Sequence, residues 1–188
     1  CDTSYAFLEG EDIQLQQIIA KVLQFGVDTV EITGGEPLIQ PNVHLLMTLL
    51  CDKGQRGLIE TCGSRDISIC DPRVIRIIDI KTPCSGASDS FLQSNYDALK
   101  KTDEIKFVIT SREDFDFACS ITKEHDLVNR VNAIHVSPVM EQPKDKFIDG
   151  CEALEPSKLA KWILETKLPL KFHFQIHKYI WPPQMRGV

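Results

Sequence analysis

The sequence predicts an α/β fold in which a parallel sheet forms an open or partial (βα) barrel. The first observation is that about five strand-then-helix units follow one another along the 188 residues, an order typical of parallel sheets with right-handed crossovers. The second is that each predicted strand ends in polar or backbone-exposing residues, and in (βα) barrels such residues line the active site. The length suits one full-sized core, so we expect a single domain over residues 1–188.

The spacing of apolar residues predicts the first elements. Apolar residues three or four positions apart predict a helix over 11–25, which Gly26 ends as a C-cap. The β-rich run 28–33 predicts a strand that leads into two glycines. The helical spacing returns over 41–51, and a short strand is predicted over 57–61.

The middle of the chain continues the alternation. The run 74–81 is almost continuously β-branched, which predicts a strand buried on both faces of a parallel sheet. A helix over 89–100 and a strand over 104–110 follow. Ser111 begins a capping-box-like start for a helix over 112–125.

The last elements complete the pattern. A strand is predicted over 133–136, a polar loop over 141–154 and a helix over 156–167. Apolar and polar residues alternate with period two over 171–177, which predicts a final strand with one apolar and one polar face.

Composition narrows the classes of partner and compartment. The chain is 43% hydrophobic and 26% charged, as in soluble globular proteins, and its net charge of −6 disfavours nucleic acid or an anionic membrane as partner. Seven cysteines without a C-x-x-C pair indicate a reducing compartment, and we expect the cytoplasm. We expect six of them to be small buried or half-buried thiols: Cys51, Cys62, Cys70, Cys84, Cys119 and Cys151.

Polar residues gather at the predicted strand ends. Gly34 and Gly35 lack Cβ atoms, so a ligand can press directly on the backbone there, and Glu36 places a carboxylate beside them for an ammonium group. Because the carboxyl ends of parallel strands share one rim, these residues predict a site for a polar ligand. The strand ends are Thr33–Glu36, Glu60–Thr61, Asp79 with Lys81, Thr110–Ser111 and Ser137–Pro138.

Several motifs carry a resemblance to a known family. The opening Cys1-Asp2-Thr3-Ser4-Tyr5-Ala6-Phe7 resembles the end of the cysteine loop of radical S-adenosylmethionine enzymes, and Thr33–Pro37 matches their glycine-glycine-glutamate-proline motif. Within that superfamily the chain resembles the 7-carboxy-7-deazaguanine synthase (QueE) family over nearly its whole length. The opening and three further segments carry this closer resemblance: Asp79–Pro83, Ser137–Val139 and Gln175–Pro182.

The resemblance implies a radical SAM type of partial barrel and a radical ring contraction. The implied substrate is 6-carboxy-5,6,7,8-tetrahydropterin, which loses ammonia to give 7-carboxy-7-deazaguanine, on the way to queuosine and other deazapurines. The implied cofactors are a [4Fe–4S] cluster, S-adenosylmethionine and Mg²⁺. The implied partners are a flavodoxin or ferredoxin reductant and a second copy of the chain in a homodimer.

The resemblance also implies roles for individual residues. Cys1 matches the last of three cluster cysteines, and Thr3 supplies a hard oxygen of the kind that Mg²⁺ takes. The implied S-adenosylmethionine contacts are Gly34, Gly35, Glu36, Glu60, Asp79, Ile80, Lys81, Ser137, Pro138, Val139 and Met140. The implied substrate contacts are Thr33, Gln175, His177 and the terminal carboxylate of Val188.

One departure keeps alternatives open. The two other cluster cysteines and the first strand of the fold are not in this chain, which begins at Cys1 without a Met, so we expect that an upstream segment has been left out. The alternatives are another radical S-adenosylmethionine enzyme, such as a glycyl-radical activating enzyme, and a non-catalytic α/β binding domain without a cluster. Cysteines upstream of Cys1 would favour an enzyme over the binding domain.

Overall fold

A six-stranded, wholly parallel sheet forms the centre of the computed structural model, which describes residues 10–140 and 152–181. The strands lie side by side in chain order, so each connection crosses to the neighbouring position. The strands are β1 (Thr29–Ile32), β2 (Arg56–Thr61), β3 (Ile75–Asp79), β4 (Glu104–Ile109), β5 (Ala133–Pro138) and β6 (Lys171–Phe172). This arrangement confirms the predicted α/β fold with a parallel sheet.

Helices connect the strands and cover one face of the sheet. They are α1 (Leu15–Gln24), α2 (Val43–Asp52), α3 (Asn95–Ala98), α4 (Arg112–Glu124), α5 (Leu127–Arg130), α6 (Pro156–Glu165) and α7 (His177–Ile180). Short 3-10 turns occur at Pro37–Ile39, Pro83–Ser85 and Ser88–Ser90. No helix in the described residues is both long and apolar enough to cross a membrane.

The two faces of the sheet differ in chemistry because side chains alternate along each strand. On the helix-covered face, apolar strand residues pack with apolar residues of α2, α4, α5 and α6 into one core. Six of these strand residues are fully buried: Ile59, Ile78, Ile105, Phe107, Ile109 and Val136. The opposite side, which we call the open face, carries the half-buried alternate residues of the same strands.

Two predictions about single strands are wrong. β3 is not buried on both faces, because its residues alternate between buried and half-buried from Ile75 to Asp79. The predicted strand over 171–177 pairs only at Lys171 and Phe172, with one further ladder bond from the His173 N–H to the Val136 carbonyl. Pro138 occupies the next position on β5 and has no N–H to continue the ladder, so the chain leaves the sheet there.

The predicted helix over 89–100 is also wrong. A 3-10 turn and the single turn α3 take its place. Phe91 and Tyr96 both reach the core with ring centroids 4.6 Å apart, and buried Asn95 donates hydrogen bonds to the Gly63 and Arg65 carbonyls. These contacts need Phe91, Asn95 and Tyr96 to point into the core together, and the chain follows an irregular path here because one face of a regular helix could not place all three there. The cysteines behave as expected where they are described, since Cys70 is buried and Cys51, Cys62, Cys84 and Cys119 are half-buried.

A buried ion pair joins β3 to the segment before β4. Arg76 and Asp103 have side-chain exposures of 5% and 0%, and the guanidinium Nε donates to Asp103 Oδ2 at 3.0 Å. Asp103 also accepts the N–H groups of Arg76 and Lys100, while Arg76 donates to the Ile67 and Ala98 carbonyls. Every polar group of the pair therefore has a partner, which offsets the cost of removing two charges from water.

Removing one partner of this pair should destabilise the fold strongly. In Asp103→Asn the Arg76 guanidinium would stay buried without a counter-charge, and we expect a loss of about 3–5 kcal/mol in the free energy of unfolding. Urea denaturation followed by circular dichroism measures the loss. The matched control is Asp116→Asn, since Asp116 pairs with Arg112 on the surface and such pairs contribute about 0.5 kcal/mol. Equal stability losses in the two variants would contradict the assignment.

Candidate active site

The open face carries a row of charges across neighbouring strands. Residues that pair across neighbouring strands, and residues two positions apart on one strand, point to the same side of a sheet. By this rule the strand register places five residues on the open face: Glu31, Glu60, Asp79, Lys106 and His135. The half-buried lysine of β4, Lys106, donates to Glu60 Oε1 at 2.6 Å. Oppositely charged groups therefore meet in the middle of the sheet.

Two more pairs flank this central one. Lys81 Nζ donates to Asp79 Oδ2 at 2.7 Å, just past the end of β3. His135 Nε2 lies 3.0 Å from Glu104 Oε2, between β5 and β4. Three basic side chains of the open face, Lys81, Lys106 and His135, thus each have a carboxylate partner.

Burial and these partners set the protonation of the open face. Burial lowers the pKa of Lys106, but the charge of Glu60 and then of Asp79 outweighs it, so the pKa is raised overall. Burial likewise lowers the pKa of Lys81, and the charge and hydrogen bond of Asp79 reverse the direction. Both lysines therefore stay charged at neutral pH and can meet an anionic or hydroxyl-rich ligand.

Unpaired polar atoms mark where a ligand fits. Among the described residues, six side-chain atoms are buried without any hydrogen-bond partner, and three of them belong to the open face: Asp79 Oδ1, Ser137 Oγ and His173 Nδ1. The other three are His44 Nδ1, Gln55 Oε1 and Thr122 Oγ1. Buried polar atoms without partners are rare in folded proteins, and several of them on one face are expected where a ligand binds. Asp79 and Ser137 are two of the residues predicted to contact S-adenosylmethionine, so the donor and acceptor set of this face fits such a polar nucleoside ligand.

The glycine turn after β1 is open to a ligand. Gly34 has a φ of +151°, which L side chains rarely adopt, and a Cβ built there would meet nothing within 4 Å. The backbone at this turn is therefore accessible from outside, as the sequence predicted for a close ligand approach.

Glu36 ties this turn to the end of β2. Its carboxylate accepts hydrogen bonds from the Leu38 N–H at 3.0 Å, Thr61 Oγ1 at 2.8 Å, and the N–H and thiol of Cys62, both at 3.0 Å. Burial, followed by the hydrogen bond to Glu36, raises the pKa of the Cys62 thiol, so it stays a donor. Four donors match the four lone-pair sites of a carboxylate. The sequence assigned Glu36 to an ammonium group, but in this structure its side chain holds the turn in place.

The structure brings most of the predicted cofactor contacts to one edge of the sheet. Gly34 to Glu36, Glu60, Asp79, Lys81 and Ser137 lie at or just past the carboxyl ends of β1, β2, β3 and β5, and the predicted substrate contact Thr33 lies at the same edge. The side chain of Ile80 is 1% exposed and belongs to the helix-covered core, so only its backbone can reach a ligand. The Val139 N–H donates to the Ile109 carbonyl, and Met140 Sδ accepts the Tyr179 hydroxyl at 3.9 Å.

The predicted substrate contacts are less well gathered. Gln175 is half-buried just after β6, while His177 begins α7 and so lies beyond the sheet. The predictions for Cys1, Thr3 and Val188 fall outside the described residues. Within 10–140 and 152–181, no group of three or more His, Cys, Asp or Glu side chains is arranged to hold a metal ion.

The sequence did not single out several polar residues of the site. Lys106, Glu104 and His135 were given no role, although alternation along β4 and β5 already assigns them to one face. His173 was on the polar face of the last predicted strand, also without a role. What the sequence could not supply was the register that brings these residues next to Glu60 and to one another.

Comparison with known proteins identifies the family. No protein-family model matches the chain. The chain is 39% identical over 191 residues to the 7-carboxy-7-deazaguanine synthase of Koribacter versatilis, covering all of this chain and 84% of that protein. It is 38% identical to the enzyme of the same name from Chlorobaculum tepidum, covering 81% of that protein.

Solved structures agree on the fold. The crystal structure of QueE from Escherichia coli superposes with a TM-score of 0.58 at 19% identity, over 87% of this chain and 64% of that one. SuiB from Streptococcus suis, bound to its precursor peptide SuiA, gives a TM-score of 0.61 at 13% identity, over 92% of this chain and 45% of that one. At these identities the likeness concerns the fold alone. By the identity and coverage of its curated relatives, the chain belongs to the 7-carboxy-7-deazaguanine synthase family of radical S-adenosylmethionine enzymes.

Proposed function

We propose that this protein is a 7-carboxy-7-deazaguanine synthase that contracts the ring of 6-carboxy-5,6,7,8-tetrahydropterin and releases ammonia. The observation that carries the proposal is the 39% identity to a curated enzyme of that name over the whole of this chain. The charged open face at the carboxyl ends of the strands is consistent with a polar substrate and a polar cofactor.

The family's general cofactors are S-adenosylmethionine and a [4Fe–4S] cluster, which together supply a 5′-deoxyadenosyl radical. Cys1 would serve as one cluster ligand. The Gly34–Glu36 turn offers backbone groups to the methionyl ammonium, with Glu36 keeping the turn against β2. Glu60, Asp79 and Lys81 offer charged groups to the ribose and carboxylate. The unpaired hydroxyl of Ser137, with Pro138 to Met140 beside it, offers partners to the adenine.

The protein's own residues position the substrate and keep water away from it. Thr33, Gln175, His177 and the Val188 carboxylate are the proposed substrate contacts, and Thr3 is the proposed protein ligand of a Mg²⁺ ion that holds the substrate. The proposal further includes a flavodoxin or ferredoxin as reductant, assembly as a homodimer and a cytoplasmic location. The reductant and the homodimer rest on the family resemblance of the sequence, and the location rests on its cysteine usage.

Anaerobic turnover tests the function. The full-length protein, reconstituted with iron and sulfide, should bind about four irons and convert 6-carboxy-5,6,7,8-tetrahydropterin to 7-carboxy-7-deazaguanine in the presence of S-adenosylmethionine and reductant. Cys1→Ala should lose most of the iron and all of the turnover, because one thiolate ligand is removed. Cys51→Ala, which changes a half-buried thiol of α2, is the matched control and should keep both. Absence of product from cluster-loaded wild type would refute the function.

The glycine turn gives a second prediction, on cofactor affinity. Glu36→Gln places an amide NH₂ against groups that now donate to the carboxylate, so the turn should loosen and no longer hold its backbone groups in place for the methionyl ammonium. Loss of charge-assisted hydrogen bonds of this kind costs about 2–3 kcal/mol, so S-adenosylmethionine should bind roughly 30- to 150-fold more weakly. Calorimetry on the cluster-loaded protein measures the change. Glu113→Gln, at an exposed position of α4, should leave the affinity unaltered. Wild-type affinity in the Glu36 variant would remove this turn from the cofactor site.

The segment after β6 gives a third prediction, on the substrate. Gln175→Ala should lower turnover of the carboxytetrahydropterin, because an amide that can pair with the pterin edge is lost. The variant should still bind and slowly cleave S-adenosylmethionine, since the cofactor contacts lie at other strand ends. Gln93→Ala alters an exposed glutamine and serves as control. Should Gln175→Ala match wild type in kcat and KM for the pterin, this segment is scaffold only.

A further inference from the structure

A carboxylate and two imidazoles form a row on the open face across β4, β5 and the residue after β6. Glu104 Oε2 lies 3.0 Å from His135 Nε2. The His135 ring in turn meets the His173 ring edge to face, with centroids 5.6 Å apart. The His173 ring therefore packs against an imidazole that is itself held by a carboxylate of the neighbouring strand.

His173 lies beside a second unpaired polar group. Val136 pairs with Phe172, so the next residues, Ser137 and His173, are neighbours on the open face. Ser137 Oγ and His173 Nδ1 are both buried, and neither has a hydrogen-bond partner among the described residues. Two adjacent polar side chains without hydrogen-bond partners are more typical of a ligand-binding site than of a protein core.

His173 lies between a residue predicted to contact S-adenosylmethionine and a residue predicted to contact the substrate. Ser137 on the neighbouring strand belongs to the cofactor set, and Gln175, two residues along the chain, belongs to the substrate set. A side chain between these two residues is therefore placed to contact a ligand of either set.

The surroundings keep the His173 ring neutral. Burial, then the positive charge of Lys106 on β4 and the ring of His135 on β5, lower the pKa of His173 below its ordinary value of 6.5. Glu60 on β2 and Glu104 on β4 act in the opposite direction, and the lowering prevails. A neutral imidazole has a lone pair that can accept a proton at neutral pH.

We propose that His173 is a catalytic acid–base residue that carries a proton from the contracted ring to the departing amine. This inference rests on the proposed function. In the ammonia-releasing step a ring C–H bond breaks, and its electron pair forms the new ring double bond. The C–N bond breaks with its pair going to nitrogen. His173 accepts the proton from carbon and donates it to that nitrogen, so the step neither consumes nor produces a proton overall.

The test is a pH profile of the cluster-loaded, full-length enzyme with and without this ring. In His173→Gln, kcat/KM for the carboxytetrahydropterin should fall by roughly 100-fold or more, the usual contribution of a positioned acid–base group. The fall in wild-type activity on the acid side, where the imidazole becomes protonated, should disappear in the variant. Binding and cleavage of S-adenosylmethionine should persist, because the proton transfer follows hydrogen abstraction.

His44→Gln is the matched control. Its Nδ1 is also buried without a partner in the described part of the chain, but it lies on helix α2, away from the row of the open face. A purely structural role for His173 predicts the same kinetics in both variants, with a wild-type pH profile, and that result would overturn the proposal.

A second measurement does not depend on the folding of a variant. The His173 Cε1–H signal in the nuclear magnetic resonance spectrum of the wild-type protein should titrate below pH 6.5 and shift when 7-carboxy-7-deazaguanine is added. An unchanged chemical shift of this signal on addition of the product would also overturn the proposal. If cluster-loaded wild type makes no product at all, the proposed function itself fails, whereas an active wild type with an equally active His173→Gln refutes only the inference.

Discussion

Both the core and the site depend on one constraint, the alternation of side chains between the two faces along six parallel strands with fixed pairing. Every second residue of a strand packs into the core beneath the helices, and the residues between them carry the charged side chains of the open face. A slip of one residue in any strand would move its charges into the core and its apolar side chains out. The burial of apolar side chains therefore fixes the strand register, and the register in turn brings the residues of the site together.

Three basic side chains of the open face each contact a carboxylate. Lys106 with Glu60, Lys81 with Asp79 and His135 with Glu104 each hold one basic group against one carboxylate. Half-burial strengthens these contacts relative to water but also removes hydration from the ions. A ligand that covers the face excludes more water, so each of these charges would act on it at a lower effective dielectric constant. The pairing thus keeps the side chains in place before any ligand arrives.

Local patterns in the sequence predicted the existence and order of the strands well, because apolar spacing and β-branched runs depend only on near neighbours. They failed where distant residues decide. β6 ends early because Pro138 on the adjacent strand lacks a donor, and the segment around Asn95 follows side-chain bonds to residues some 30 positions away. The partners of Glu36 on β2, and of Lys106 and His173 across the sheet, likewise depend on register, which no spacing in a single sequence reveals.

The short sixth strand also has a consequence for how the protein behaves in concentrated solution. A long, flat outer strand presents a row of unpaired N–H and C=O groups on which another chain can add itself, and such edges promote aggregation. Here β6, one of the two outer strands of the described sheet, pairs over only two residues before the chain enters α7. The same proline that shortens the ladder therefore leaves an incoming β-segment little template to extend at this edge.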